Sequence, residues 1–111
     1  MIPKDKWQWF GNAAHFCGGQ NCRFHLATRV GKYLISTVGD YHPPSSTGEN
    51  AEEIGYGRTY ETMVFLAGRG CACGCGLPEI NGSELDVLAY TAPKEATRGH
   101  RRLCMKWARK Q

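Results

Sequence analysis

From residue 23 to residue 30 the side chains alternate in character. Phe24, Leu26, Thr28 and Val30 interleave with Arg23, His25, Ala27 and Arg29. A period of two is what a half-buried strand requires, because successive side chains leave a pleated backbone on opposite faces. Gly31-Lys32 follows, and glycine at the first of two central positions fits a type II′ turn. The return strand then runs from Tyr33 to about Asp40. In that register Val30 faces Tyr33, Thr28 faces Ile35, His25 faces Val38 and Arg23 faces Asp40. The face holding Phe24, Leu26, Tyr33 and Ile35 is the more apolar and is expected to pack inward. The other face carries Arg23, His25, Arg29, Ser36 and Asp40.

The rest of the chain extends this hairpin. Residues 59–67 (TYETMVFLA) are rich in β-branched and aromatic types and read as a third strand. Asn81-Gly82 is a strong turn signal, and residues 84–90 (ELDVLAY) read as a further strand. Thr91 then offers an N-cap and Pro93 suits the first turn of a helix running to about Arg109. At 100° per residue Ala96, His100, Leu103, Cys104 and Trp107 share one face, and Arg98, Arg102, Lys106 and Arg109 the opposite one. The expectation is a single α+β domain over residues 1–111. A small antiparallel sheet of four or five strands is covered by one C-terminal amphipathic helix. Residues 43–55, opening with PPSSTGENAEE, are expected to form a loop joining the two halves. Trp7, Trp9 and Phe10 are expected to pack against the body of the domain, the alternative being a stacking platform for a ligand.

At 111 residues the chain sits near the size where extra staples help a core. No stretch approaches the roughly 18 apolar residues that span a membrane. The opening MIPKDKWQWFG lacks the apolar region and small-residue cleavage site of a signal peptide. A reducing cytoplasm is therefore the expected setting, where clustered cysteines are metal ligands more often than disulfides. The run GCACGCG carries Cys71, Cys73 and Cys75. His100 and Cys104 lie one helical turn apart, so both can reach one ion. Tetrahedral zinc takes four such ligands, and the interleaved glycines let the loop bend toward it. The expected structural site is Cys73, Cys75, His100 and Cys104. Cys71 is a spare that could replace Cys73, or replace His100 to give an all-cysteine set. Reduced structural thiols, disulfides and another metal are the alternatives. His15, Cys17, Cys22 and His25 have the right types for a second zinc but irregular spacing, and Cys17 and Cys22 read equally as small buried groups at a turn. His42, before Pro43-Pro44, reads as an exposed loop residue.

Two further surfaces carry candidate chemistry. His25 and Glu61, with Arg58 and Tyr60, could supply an acid–base pair and an anion clamp, a set able to cleave RNA through its 2′-hydroxyl without metal. The bland alternative is a sheet face with scattered polar groups. Arg98, Arg101, Arg102, Lys106 and Arg109 crowd the last 14 residues of a chain of net charge +4. They could track phosphates, or form an ordinary solvated helix face that favours the macrodipole. No Walker loop, GxGxxG, GxSxG or zinc-deaminase pattern is present.

The runs HFCGGQNCRFHL, YLISTVGDY, GYGRTYETMVF, CGCGLPEINGSELD and RGHRRLCMKWARK resemble a set of small proteins of bacteriophages and environmental phage sequence. The resemblance spans roughly residues 7–110 and implies no activity. It implies a mobile-element origin in a bacterial cytoplasm, and an accessory factor that binds host or viral machinery. The leading expectation is a zinc-stabilised, non-enzymatic protein that engages nucleic acid or a nucleoprotein complex. The alternatives are a metal-independent ribonuclease or phosphodiesterase, and an anti-defence inhibitor of a host protein.

Overall fold

A computed structural model describes residues 7–9, 22–42, 57–70 and 78–110. Among these residues, five strands form one antiparallel sheet in chain order: β1 (Trp7–Trp9), β2 (Cys22–Val30), β3 (Tyr33–Tyr41), β4 (Tyr60–Gly70) and β5 (Pro78–Tyr90). The helix α1 (Pro93–Ala108) follows and packs across β2, β3, β4 and β5. This is the α+β arrangement expected from the alternation and the helical phase. The loop expected over 43–55 lies outside the described residues.

The hairpin has the expected register, with Val30 paired to Tyr33, Thr28 to Ile35 and His25 to Val38. Gly31 has φ +60°, and Lys32 is not in the left-handed region. Left-handed backbone at the first central position alone is the type II′ pattern, which glycine adopts without a Cβ clash. Trp7, opposite Val30, packs against the core from the edge. The core itself lies between sheet and helix, where Val30, Tyr33, Ile35 and Val64 meet Leu103, Cys104 and Ala108. Each large apolar side chain buried here contributes about 1.5–3 kcal/mol.

Two local expectations are corrected. Asn81-Gly82 makes no hairpin turn: both residues lie within the longer strand β5. Val64 pairs with Asp86 and Leu66 with Asn81, so Gly82, Ser83, Glu84 and Leu85 bulge out opposite the single residue Phe65. Gly82, at φ +89°, supplies the backbone turn that the dipeptide signals, but inside a bulge. At the start of α1 the N-cap position is Ala92, without a side-chain cap. The Thr91 hydroxyl instead donates to the Glu95 carboxylate at 3.0 Å. Pro93 does open the helix, where its missing N–H costs nothing.

Candidate functional site

The inner face of α1 buries Ala96, Gly99, His100, Leu103, Cys104 and Ala108, close to the predicted set. Gly99 is there because the Tyr90 ring leaves no room for a Cβ. His100 is only 4% exposed, in the middle of an otherwise apolar contact. Threonines of β2 and β3 meet it directly, and one of β4 lies behind them. Thr28 Oγ1 lies 2.8 Å from Nε2 and Thr37 Oγ1 lies 2.7 Å from Nδ1. Thr37 in turn hydrogen-bonds Thr62 on β4. A neutral imidazole donates from one nitrogen and accepts at the other, so one threonine accepts and its counterpart donates. Burial disfavours the charged ring and lowers its pKa to about 4. The His100 side chain thus ties the helix to β2 and β3 directly and to β4 through Thr37.

This geometry bears on the predicted metal ligands. His100 and Cys104 do share the buried face. For zinc to take His100, one threonine bond would have to be exchanged for the metal. Burial also pushes the Cys104 thiol up to about 12, which keeps it neutral in the absence of a cation. Cys71, Cys73, Cys75, His15 and Cys17 lie outside the described residues, and Cys22 is described only as backbone in β2. Among the described residues, no three His, Cys, Asp or Glu side chains form a metal-holding group.

The outer face of α1 is built of cations. Arg98, Arg101, Arg102, Lys106 and Arg109 are exposed and, with Met105, line a shallow depression of about 460 Å³. Lys106 is partly committed: its ammonium donates to Asp86 Oδ2 at 2.7 Å, beside the Trp107 indole N–H, which donates to the same oxygen at 3.1 Å. Burial alone would raise the Asp86 pKa, but these donors outweigh it and hold the carboxyl low. Among the described residues, no carboxylate lies within ion-pair distance of Arg98, Arg101, Arg102 or Arg109. Met105 is 40% exposed among them.

The sheet face turned away from α1 holds part of the predicted acid–base set. His25 and Glu61 both pair with Val38, one from each side, so the three form a row across β2, β3 and β4. Tyr60 is not in that row. Its ring lies over Gly39 and meets Phe24 edge-on at 5.3 Å, on the face that α1 covers. Arg58 is exposed just before β4.

Sequence reasoning missed one pair. His42 is not an exposed loop residue: its side chain is 14% exposed, and Nε2 donates to Asp40 Oδ1 at 2.7 Å. Asp40 adopts φ +54°, unusual for a side-chain-bearing residue but tolerated by aspartate, and its N–H donates to the Thr59 carbonyl at 3.2 Å. His42 lies one residue past β3, and the Asp-x-His spacing is the signal that could have found the pair.

Against protein-family models, curated proteins and solved structures, the chain matches none. No helix among the described residues is long and apolar enough to cross a membrane.

Proposed function

We propose that the outer face of α1 binds the phosphate backbone of a nucleic acid, alone or within a nucleoprotein complex. What supports this reading is the row Arg98, Arg101, Arg102 and Arg109, exposed on one helix face with no acidic partner among the described residues. Arginine forks match phosphate oxygens bidentately, and the net charge of +4 has the right sign. An accessory role in a phage-infected bacterial cytoplasm suits the sequence resemblance. The test is an electrophoretic shift against single- and double-stranded DNA and RNA at low salt. Retardation that Arg98→Ala with Arg102→Ala weakens supports the reading; no binding to any of the four removes it. Capture of a bacterial host protein that survives nuclease treatment would favour the inhibitor reading instead.

A structural zinc on the GCACGCG loop is part of the same proposal. Both nitrogens of His100 already bond threonines, which favours the all-cysteine set of Cys71, Cys73, Cys75 and Cys104 over one using His100. Elemental analysis of the purified protein should find about one zinc per chain, lost in Cys75→Ser with Cys104→Ser. Zero metal in the wild type sinks it.

A further inference from the structure

The face of the sheet away from α1 carries chemistry that the helix does not use. The row His25–Val38–Glu61 places a base and an acid two strands apart on one face. With neighbouring strands about 4.8 Å apart, their Cα atoms are separated by about 10 Å. Val38 is the only residue of the row between them, and it is apolar. Strand side chains stand roughly perpendicular to the sheet, so a comparable spacing at their tips can be bridged by two hydrogen bonds of about 2.8 Å each and an in-line oxygen–phosphorus–oxygen span.

Glu61 is the unusual member. It is 9% exposed, and among the described residues it has neither an ion pair nor a hydrogen bond. Burying a carboxylate without a donor is costly, so the group tends to keep its proton. Burial raises its pKa first, and the Glu84 carboxylate raises it further. Glu84 belongs to the β5 bulge, so the irregular register of that strand adds to this upward shift.

We propose that His25 and Glu61 are the base and acid of a site that cleaves RNA through the ribose 2′-hydroxyl, with the scissile phosphate over Val38. The His25 imidazole takes the 2′-hydroxyl proton and the 2′-oxygen attacks phosphorus. The bond from phosphorus to the 5′-oxygen breaks, and that oxygen takes the Glu61 proton. The products are a 2′,3′-cyclic phosphate and a 5′-hydroxyl end, and no metal, oxidant or further reactant is consumed. The two groups finish with their proton states exchanged and are reset through solvent. Tyr60, on the other face, has no part in this, and the arginines of α1 are not required for it.

The experiment uses the intact protein with a chelator present, an oligoribonucleotide, and the same oligomer carrying 2′-deoxy sugars. Cleavage of the ribose form alone, leaving cyclic phosphate ends, is expected. His25→Ala and Glu61→Gln should each lower kcat by about 100-fold or more, with KM little changed and the melting temperature retained. The alkaline limb of the pH profile should vanish in Glu61→Gln. If His25→Ala melts early, His25→Gln, closer in size and polarity, carries the same test. No turnover by the wild type, cleavage of the deoxy oligomer, or variants within threefold of wild type would overturn the proposal.

Discussion

The two faces of α1 hold polar groups under opposite conditions. Inside, His100 is almost fully buried and each ring nitrogen has a threonine within hydrogen-bond distance. Outside, four arginines stand in solvent without an acidic partner among the described residues. A buried polar group is tolerated only when its bonds are satisfied, and it then fixes one arrangement of the elements around it. An exposed cation is tolerated anywhere, so a concentration of them contributes little to the fold and is free to meet a ligand. The inner face serves the fold, and the recognition proposed above falls to the outer one.

The strongest way to break that assignment is at His100. His100→Ala removes both hydrogen bonds, strands the Thr28 and Thr37 hydroxyls, and opens a cavity. A loss of about 3–5 kcal/mol is expected in denaturant unfolding. A loss under about 1 kcal/mol would mean that the threonine contacts contribute little.

Acid should reproduce part of that effect. The folded-state pKa of His100, near 4, lies below the unfolded value of 6.5. Between these values the unfolded chain binds the proton and the folded chain does not, so stability from this residue falls as pH drops from about 6.5 to 4. The full effect is up to about 3 kcal/mol. The difference between wild type and His100→Gln in unfolding free energy, followed over that window, isolates the histidine. Parallel curves would show that His100 is not held neutral by burial.

The boundary between the faces is Asp86, where a β5 carboxylate accepts from both Lys106 and the Trp107 indole. Lys106 is half exposed, so screening discounts the ion pair, and Asp86→Ala is expected to cost about 1–2 kcal/mol. The loss should be smaller at low pH, because the unfolded Asp86 protonates first and the stabilisation fades as pH falls through the lowered folded value. Thermal melts at pH 3 and pH 7 measure it.

Much of this comparison was legible in the sequence, for a physical reason. Alternation at period two in residues 23–40 and helical phase in 93–108 are imposed by the same burial that orders the structure. The hairpin register and both helix faces therefore emerged residue by residue. The failures occurred where a local signal has more than one tertiary use. Asn81-Gly82 marks a backbone reversal in either a hairpin or a bulge, and only the pairing of Val64 with Asp86 distinguishes them. His100 reads as a metal ligand because imidazole has two roles, and its threonine partners come from strands 72 and 63 residues away. The Asp40–His42 pair was obscured by the prolines that follow it, which read as loop.

The smallest expected effect on folding is also the sharpest test of the assignment. Replacing Arg98, Arg101, Arg102 and Arg109 together by alanine should change stability by no more than about 0.5 kcal/mol per site. The decisive measurement is nucleic-acid affinity against salt concentration for wild type and this variant, by fluorescence anisotropy. Each phosphate neutralised contributes about 0.9 to the slope of log affinity on log salt for duplex DNA, so the variant should lose about 2–4 from that slope while melting as the wild type does. An unchanged slope, or a variant that unfolds, would contradict the division between a structural inner face and a phosphate-binding outer one.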